Sequence, residues 1–324
     1  MLEAKNEPTK ERKIDYLRLS ITDRCNLRCI YCMPIKGVRH LTHDEILSYE
    51  ELITFVKAAY SCGIRRVRVT GGEPLVRKGL VGFFEILTSV APDLRVTLTT
   101  NGTLLSRYAY SIRKLGIERV NISLDSLDPE KYRRITRVGD LKDALYGIEK
   151  AIEVGFDPVK INVVVLSGIN DDPFPFISLA RRLPVHIRFI EYMPQFGEGS
   201  YYVSSNETLR RIQKVEEIKK IDPPHGWGPA EYYKVSGARG TIGFISPISC
   251  HICSSCNRLR LTSDGKLKTC LFEKDGFDIR GEMRGGANFE RLREIITSQL
   301  ERKKGGLKRK ELINEKYDMW KIGG

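Results

Sequence analysis

No apolar run in this 324-residue chain approaches the roughly 18 residues of a membrane-crossing helix, so no helical span is expected. The first 13 residues are charged and lack the apolar stretch of a secretion signal, which points to the cytoplasm. In that compartment the eight cysteines read as metal ligands before disulfides. No glycine-rich dinucleotide fingerprint is present. Glutamine is scarce, at three residues among many Lys, Arg and Glu, a bias found in thermophilic proteins. The most informative shortage is that of a fourth cysteine.

Six of the eight cysteines form two sets of three, Cys25-x3-Cys29-x2-Cys32 and Cys253-x2-Cys256-x13-Cys270. A structural metal site closes with four protein ligands, whereas a reactive one keeps a position open. Two sets of three therefore suggest two iron–sulfur clusters, each with one iron left for a non-protein ligand. For the first set the alternative is a zinc site completed by His40 or His43, and for the second a zinc module. Cys62, at the end of an apolar helix, reads as core. Cys250 lies near enough to the second set to compete for a place in it.

Strand-like segments recur at 16–21, 66–70, 95–100, 119–124, 159–166 and 185–190. Helical patterns intervene at 44–62, 80–90, 104–115, 141–154 and 173–182. This alternation implies right-handed crossovers and a parallel sheet. Six units fall short of the eight of a closed barrel, so the expected fold is α/β, a partial, open (βα)6 TIM-type barrel. A doubly wound open sheet is the alternative. Beyond Glu191 come a loop at 194–200, a helix at 207–220 and a turn-rich linker at 222–229. Strands at 232–235 and 241–245 follow, then a hairpin of 258–262 and 266–271 about Asp264-Gly265, and a closing helix at 288–299. That hairpin lies between Cys256 and Cys270, so its turn brings Cys270 back towards Cys253 and Cys256. The expected organisation is an N-terminal arm (1–13), a barrel (14–195) and a C-terminal region (196–324) that closes it.

Side chains alternate along a strand, so one parity faces the helices and the other the barrel axis. Leu17, Leu19 and Ile21 share one parity and leave Arg18 and Ser20 on the other; Val67 and Val69 leave Arg68 and Thr70. The same division puts Thr97, Thr99 and Asn101, then Asn121, Ser123 and Asp125, then Lys160 and Asn162, then His186 and Arg188 on the axis. Ordinary barrels fill this space with branched apolar residues. Four cations there, Arg18, Arg68, Lys160 and Arg188, would be costly unless they meet an anion, and a polyphosphate fits. Pairing of each with a carboxylate such as Asp125 is the alternative. The net charge of +13 also suits an anionic partner, although the run at 301–310 reads as solvated surface.

The segment Cys25–Cys32, with Tyr31 before its last cysteine, resembles the radical S-adenosylmethionine superfamily, and Gly71-Gly72-Glu73-Pro74 resembles that superfamily's methionine-binding turn. The stretches 17–23, 68–74, 99–102, 121–125, 168–171, 188–191 and 256–265, with the terminal Gly323-Gly324, together resemble the GTP 3′,8-cyclase family of molybdenum cofactor biosynthesis along nearly the whole chain. The resemblance implies a [4Fe–4S] cluster on Cys25, Cys29 and Cys32 that binds S-adenosylmethionine, with Tyr31, Gly72, Ser123 and Met193 holding the cofactor. It implies a second [4Fe–4S] cluster on Cys253, Cys256 and Cys270 whose open iron holds guanine. GTP contacts would come from Arg18, Arg68, Thr99, Lys160, Arg188, Arg258, Leu259 and Arg260, with Arg258, Arg260, Gly323 and Gly324 serving the reaction. A 5′-deoxyadenosyl radical would take hydrogen from ribose C3′, which then bonds to C8 to give 3′,8-cyclo-7,8-dihydro-GTP. Implied partners are GTP, an electron donor and the next enzyme, cyclic pyranopterin monophosphate synthase; the oligomeric state stays open, a homodimer included.

Two other readings compete. A peptide-modifying radical enzyme could also carry an auxiliary cluster, but a peptide needs no cationic lumen. A zinc-dependent nucleic-acid-binding protein would suit the charge, and it would be colourless where an iron–sulfur enzyme is brown.

Overall fold

The computed structural model describes residues 13–193, 201–224, 228–249, 256–304 and 319–322. The six expected strands form as β1 (Tyr16–Ser20), β2 (Arg66–Thr70), β3 (Arg95–Thr100), β4 (Val120–Ser123), β5 (Val159–Val165) and β6 (Val185–Glu191), all parallel and in sequence order. They are joined through α1 (Tyr49–Ser61), α2 (Leu80–Thr88), α3 (Leu105–Lys114), α4 (Pro129–Thr136), α5 (Leu141–Glu153) and α6 (Phe174–Arg182). The expected helix at 44–62 is divided, with a 3-10 turn at His43–Glu45 before α1, where Ser48 and Glu51 form a capping box. Helix α4 was absent from the expected elements although its start is written in the sequence. Asp128 accepts the amides of Glu130 and Lys131, each at 2.9 Å, and Pro129 occupies the first helical position.

The C-terminal elements are α7 (Ser205–Gln213), β7 (Ile218–Ile221), β8 (Glu231–Val235), β9 (Thr241–Ile245), β10 (Arg258–Leu261), β11 (Lys266–Lys268), β12 (Phe277–Asp278), α8 (Ile279–Arg284), α9 (Phe289–Lys304) and α10 (Met319–Ile322). The helix expected at 207–220 is therefore too long. It stops at Gln213, and 218–221 pair antiparallel with β8, a ladder that outweighs weak helical preference. The hairpin about Asp264-Gly265 forms as expected between β10 and β11, with Gly265 at φ +81°.

All twelve strands make one sheet in the order β12-β11-β10-β1-β2-β3-β4-β5-β6-β9-β8-β7. β10 runs parallel to β1 and β9 parallel to β6, so the C-terminal region lengthens the barrel wall at both edges. The apolar parity is continuous across these joins. Leu259 is level with Leu17 and Val67, and Ile187 with Ile161 and Ile242, all on the helix-facing side and essentially inaccessible to solvent. Burial of this outer layer holds the wall together and frees the inner parity for polar groups.

The layer is tight where α5 crosses α3. A methyl group on Gly147 would lie 2.1 Å from the carbonyl oxygen of Gly102. Gly→Ala in a helix interior normally stabilises by up to about 1 kcal/mol. Here the clash reverses the sign: Gly147→Ala is expected to lower stability by about 1–3 kcal/mol. A denaturant midpoint that is unchanged or higher would contradict this packing.

Candidate active site

The inner parity builds a cationic band. Register sets Arg260 beside Arg18, Arg18 beside Arg68, and Arg68 beside Thr97. On the other half, Thr99 is level with Asn121, Asn121 with Lys160, and Asn162 with Arg188. Tyr16, Arg18, Arg68, Arg188, Arg258 and Arg260 all line an open cavity of about 1160 Å³, which also reaches Cys256 and Cys270. Lys160 lies in an adjoining cavity of about 440 Å³ nearer the start of the strands, together with Arg66, Arg95 and Arg119; Arg68 and Tyr16 line both spaces.

The cations crowd one another. Burial and the neighbouring Arg260 hold Arg18 well below the usual arginine range, and burial with Arg258 brings Arg260 down to about 10. Burial, with Arg188, Arg68 and Arg119 nearby, lowers Lys160 to about 7. Among the described residues, the buried atoms Nε of Arg188, Nη1 of Arg260 and Oδ1 of Asn162 have no hydrogen-bond partner. A lumen with unsatisfied donors and mutually repelling cations fits a polyanionic guest. The Asp125 alternative is not realised: its carboxylate accepts from the Tyr31 hydroxyl at 2.6 Å and from the Val164 amide at 2.8 Å.

The first cysteine set sits on the loop after β1, at the carboxyl ends of the parallel strands, where barrels of this kind keep their sites. The loop is held mainly through its backbone. The amides of Arg28 and Ile30 donate to the carbonyls of Thr136 and Ile135 at the end of α4, at 3.0 and 2.9 Å. Arg137, a non-glycine residue at φ +66°, turns its guanidinium onto the carbonyls of Arg28 and Met33, at 3.1 and 2.8 Å. Gly72 presses against the other side. Its amide donates to the Thr22 carbonyl at 2.6 Å, and a methyl group there would fall 2.3 Å from the Arg24 carbonyl oxygen. Glu73 receives the Thr100 hydroxyl and Asn101 amide, and burial raises its carboxyl to about 7.

Burial and Glu73 push the Cys25 thiol up to about 11, and burial and Cys25 push Cys32 up to about 12. These thiols therefore give up protons when metal binds. Among the described residues no three His, Cys, Asp or Glu side chains form a group suited to one metal ion. A cluster asks for something different, since each thiolate ligates its own iron. The donor set of three thiols with no fourth suits that group. His40 and His43, the zinc candidates, stand elsewhere: Nδ1 of His40 faces Asp23 Oδ2 at 3.6 Å, and His43 begins the 3-10 turn before α1.

At the second set the electrostatics are opposite. Burial raises the Cys256 thiol, but Arg258 and Lys303 outweigh it and hold the group at about 6. Cys256 and Cys270 line the same cavity, as the hairpin geometry required. Cys253, Cys250, Gly323 and Gly324 lie outside the described residues. Helix α10 packs Ile322 against Phe272 beside Cys270, and Met319 lines the cavity, so α10 approaches the lumen. Met193 is on this side too, against the same cluster of side chains, whereas Tyr31 and Gly72 belong to the first set's surroundings. Ser123 lies beside Asn162 in register. Thr99 Oγ1 accepts from Arg68 Nη1 at 3.5 Å. Leu259 faces the outer core, so only its backbone is available to a ligand. Tyr16 and Arg66 were missed in the sequence, although they share the parity of Arg18 and Arg68, and Tyr16 accepts a hydrogen bond from Arg68 Nε.

Residues 19–178 match the model of the Radical SAM superfamily, and residues 185–308 that of Molybdenum Cofactor Synthesis C. A protein of Thermodesulfovibrio yellowstonii named GTP 3′,8-cyclase is 48% identical over 303 residues, covering 91% of this chain and 94% of its own. One of the same name from Petrotoga mobilis is 50% identical over 296 residues, covering 89% and 90%. Among solved structures, Streptococcus suis SuiB superposes with a TM-score of 0.59 at 14% identity, covering 89% of this chain and 68% of that one; at this identity the likeness is one of fold.

The lowered Lys160 yields a pH prediction. In the unfolded chain a lysine titrates near 10.4, above the folded value of about 7. The charged form therefore opposes folding; the penalty is fully present below pH 7 and disappears as pH rises towards 10.4. Lys160→Met should raise stability most at pH 6, and the gain should vanish near pH 10. Equal gains at both pH values in ligand-free denaturation would contradict the buried cation.

Proposed function

The chain belongs to the GTP 3′,8-cyclase family of the radical SAM superfamily, and from that membership we propose that it converts GTP into 3′,8-cyclo-7,8-dihydro-GTP in molybdenum cofactor biosynthesis. The observation that carries the site assignment is the cationic band on the inner strand parity, which lines the cavity shared with Cys256 and Cys270.

Cys25, Cys29 and Cys32 would hold a [4Fe–4S] cluster, which with S-adenosylmethionine bound would supply the radical chemistry of the reaction. Gly72 brings the backbone of its turn against the cluster loop, and Tyr31, fixed by Asp125, gives the cofactor a packing surface. Ser123 would be a further cofactor contact, and Met193, which lines the large cavity beside Phe272, would meet the cofactor only where it reaches into that space. Arg18, Arg68, Thr99, Lys160 and Arg188 take the triphosphate and ribose, relieving their mutual repulsion. Lys160 is only partly charged near neutrality when alone, and a phosphate beside it draws a proton onto Nζ.

Cys253, Cys256 and Cys270 would hold a second [4Fe–4S] cluster, which would supply a binding place for guanine. Arg258 and Arg260 fix the base, and the backbone of Leu259 lies between them. With base and triphosphate held in these places, ribose C3′ would face the first cysteine set and C8 would stay within reach of C3′, a positioning task that can supply a large part of the acceleration. Helix α10, packed beside Cys270, would shield the reacting atoms from water and stray hydrogen donors, and Gly323-Gly324 follow it in the sequence. The chain works as an arm (1–13), a barrel (14–195) and a closing region (196–324) in the cytoplasm. It would take electrons from a donor and pass product to cyclic pyranopterin monophosphate synthase. The SuiB likeness carries fold alone, and no observation here favours a peptide substrate.

The test is anaerobic turnover of the reconstituted protein with GTP, S-adenosylmethionine and dithionite, with product and 5′-deoxyadenosine both quantified. Wild type should form the cyclised nucleotide. Arg258→Ala should still release 5′-deoxyadenosine in part while cyclised product falls about 100-fold or more. Wild-type product yields from the variant would remove Arg258 from the site, and no product from wild type would remove the proposed reaction.

A further inference from the structure

Lys303 reaches the second cysteine set from α9. Its side chain is 4% exposed, and Nζ donates to the Thr269 carbonyl at 2.5 Å and to Cys256 Sγ at 3.5 Å. The preceding residue pins the helix in place: Arg302 pairs with Glu273 at 2.7 Å, and Glu273 Oε2 receives the Thr269 amide at 2.7 Å and its hydroxyl at 3.1 Å. The last turn of α9 is thus fixed to the segment that carries Cys270. Arg258 and Arg260 line the cavity at Cys256; Lys303 is absent from that lining.

We propose that Lys303 is a positioning residue that tunes the second cluster through an N–H···S hydrogen bond to Cys256; this rests on the reading that Cys253, Cys256 and Cys270 hold a cluster. A positive donor at a ligating sulfur draws electron density from the thiolate and stabilises the more negative, reduced form of the cluster. The reduction potential rises, and the open iron becomes a better acceptor for a neutral base. Lysine suits the task as a compact point charge on a long stem. Lys303 thereby acts on the reaction without touching substrate.

The experiment uses the full-length chain with Cys25, Cys29 and Cys32 replaced by Ala, so that one cluster remains, alongside the intact holoenzyme. Iron is counted, and the remaining cluster is titrated by potential with an electron paramagnetic resonance readout. The parent should hold about four iron atoms per chain. Lys303→Met should keep that iron and shift reduction to a more negative potential, and Lys303→Arg should restore it towards the parent. Lys303→Gln, which keeps an N–H donor without charge, should fall between them and carries the comparison if the Met variant loads poorly. Coincident titration curves for the parent and both uncharged variants, at full iron, would overturn the role of Lys303 alone. A parent without iron would overturn the two-cluster reading, and this inference with it.

Discussion

The structure depends on one electrostatic constraint, the confinement of several cations inside a half-open barrel. Strand spacing is about 4.8 Å, and two unit charges about 5 Å apart repel by roughly 3 kcal/mol at an effective dielectric constant of 20. Arg260, Arg18 and Arg68 are consecutive neighbours in register, so the band carries this cost more than once. The apolar outer layer, with Leu17, Leu19, Val67, Leu259 and Ile187 fully buried against the helices, supplies the stability that makes the arrangement tolerable. A polyphosphate bound there, as proposed, would turn the repulsion into binding energy, so that substrate recognition and the cost of the cationic lumen would have one cause.

The two ends of the lumen are given opposite electrostatic surroundings. Near the first set lie Glu73 and Asp125, and the thiols there are pushed upward. Near the second lie Arg258 and Lys303, and Cys256 is pulled down. A centre that reduces a sulfonium cofactor suits acidic neighbours, whereas one that holds an electron-rich base suits cations. Backbone contacts enforce the first arrangement, with Gly72 and Arg137 on two sides of one loop. Side-chain contacts from α9 enforce the second.

Much of this was legible in the sequence. Alternation found the six strands, and parity found Arg18, Arg68, Lys160 and Arg188, because the period of a strand leaves no freedom over which face a side chain takes. Cysteine spacing drew attention to the loop after β1 and to Cys256 and Cys270, which line one cavity, while Cys253 lies outside the described residues. Several features escaped. Helix α4 is short, and its Asp128-Pro129 start lies in a stretch given no element between the strand at 119–124 and the helix at 141–154. Strand β7 exists through pairing with β8, a tertiary fact that local preference could not reveal. The placement of β9 and β10 on opposite edges of the barrel, which brings Arg260 level with Arg18, joins residues far apart in the chain. Lys303 was hidden for the same reason, since it meets Cys256 across 47 residues.

The central claim is that the lumen holds GTP with its ribose turned towards the first cysteine set. It is tested most directly by turnover with GTP deuterated at C3′, with the isotope followed into 5′-deoxyadenosine. The account predicts one deuterium in the released 5′-deoxyadenosine and its loss from the cyclised nucleotide. Deuterium that remains wholly in the nucleotide while 5′-deoxyadenosine accumulates would contradict it.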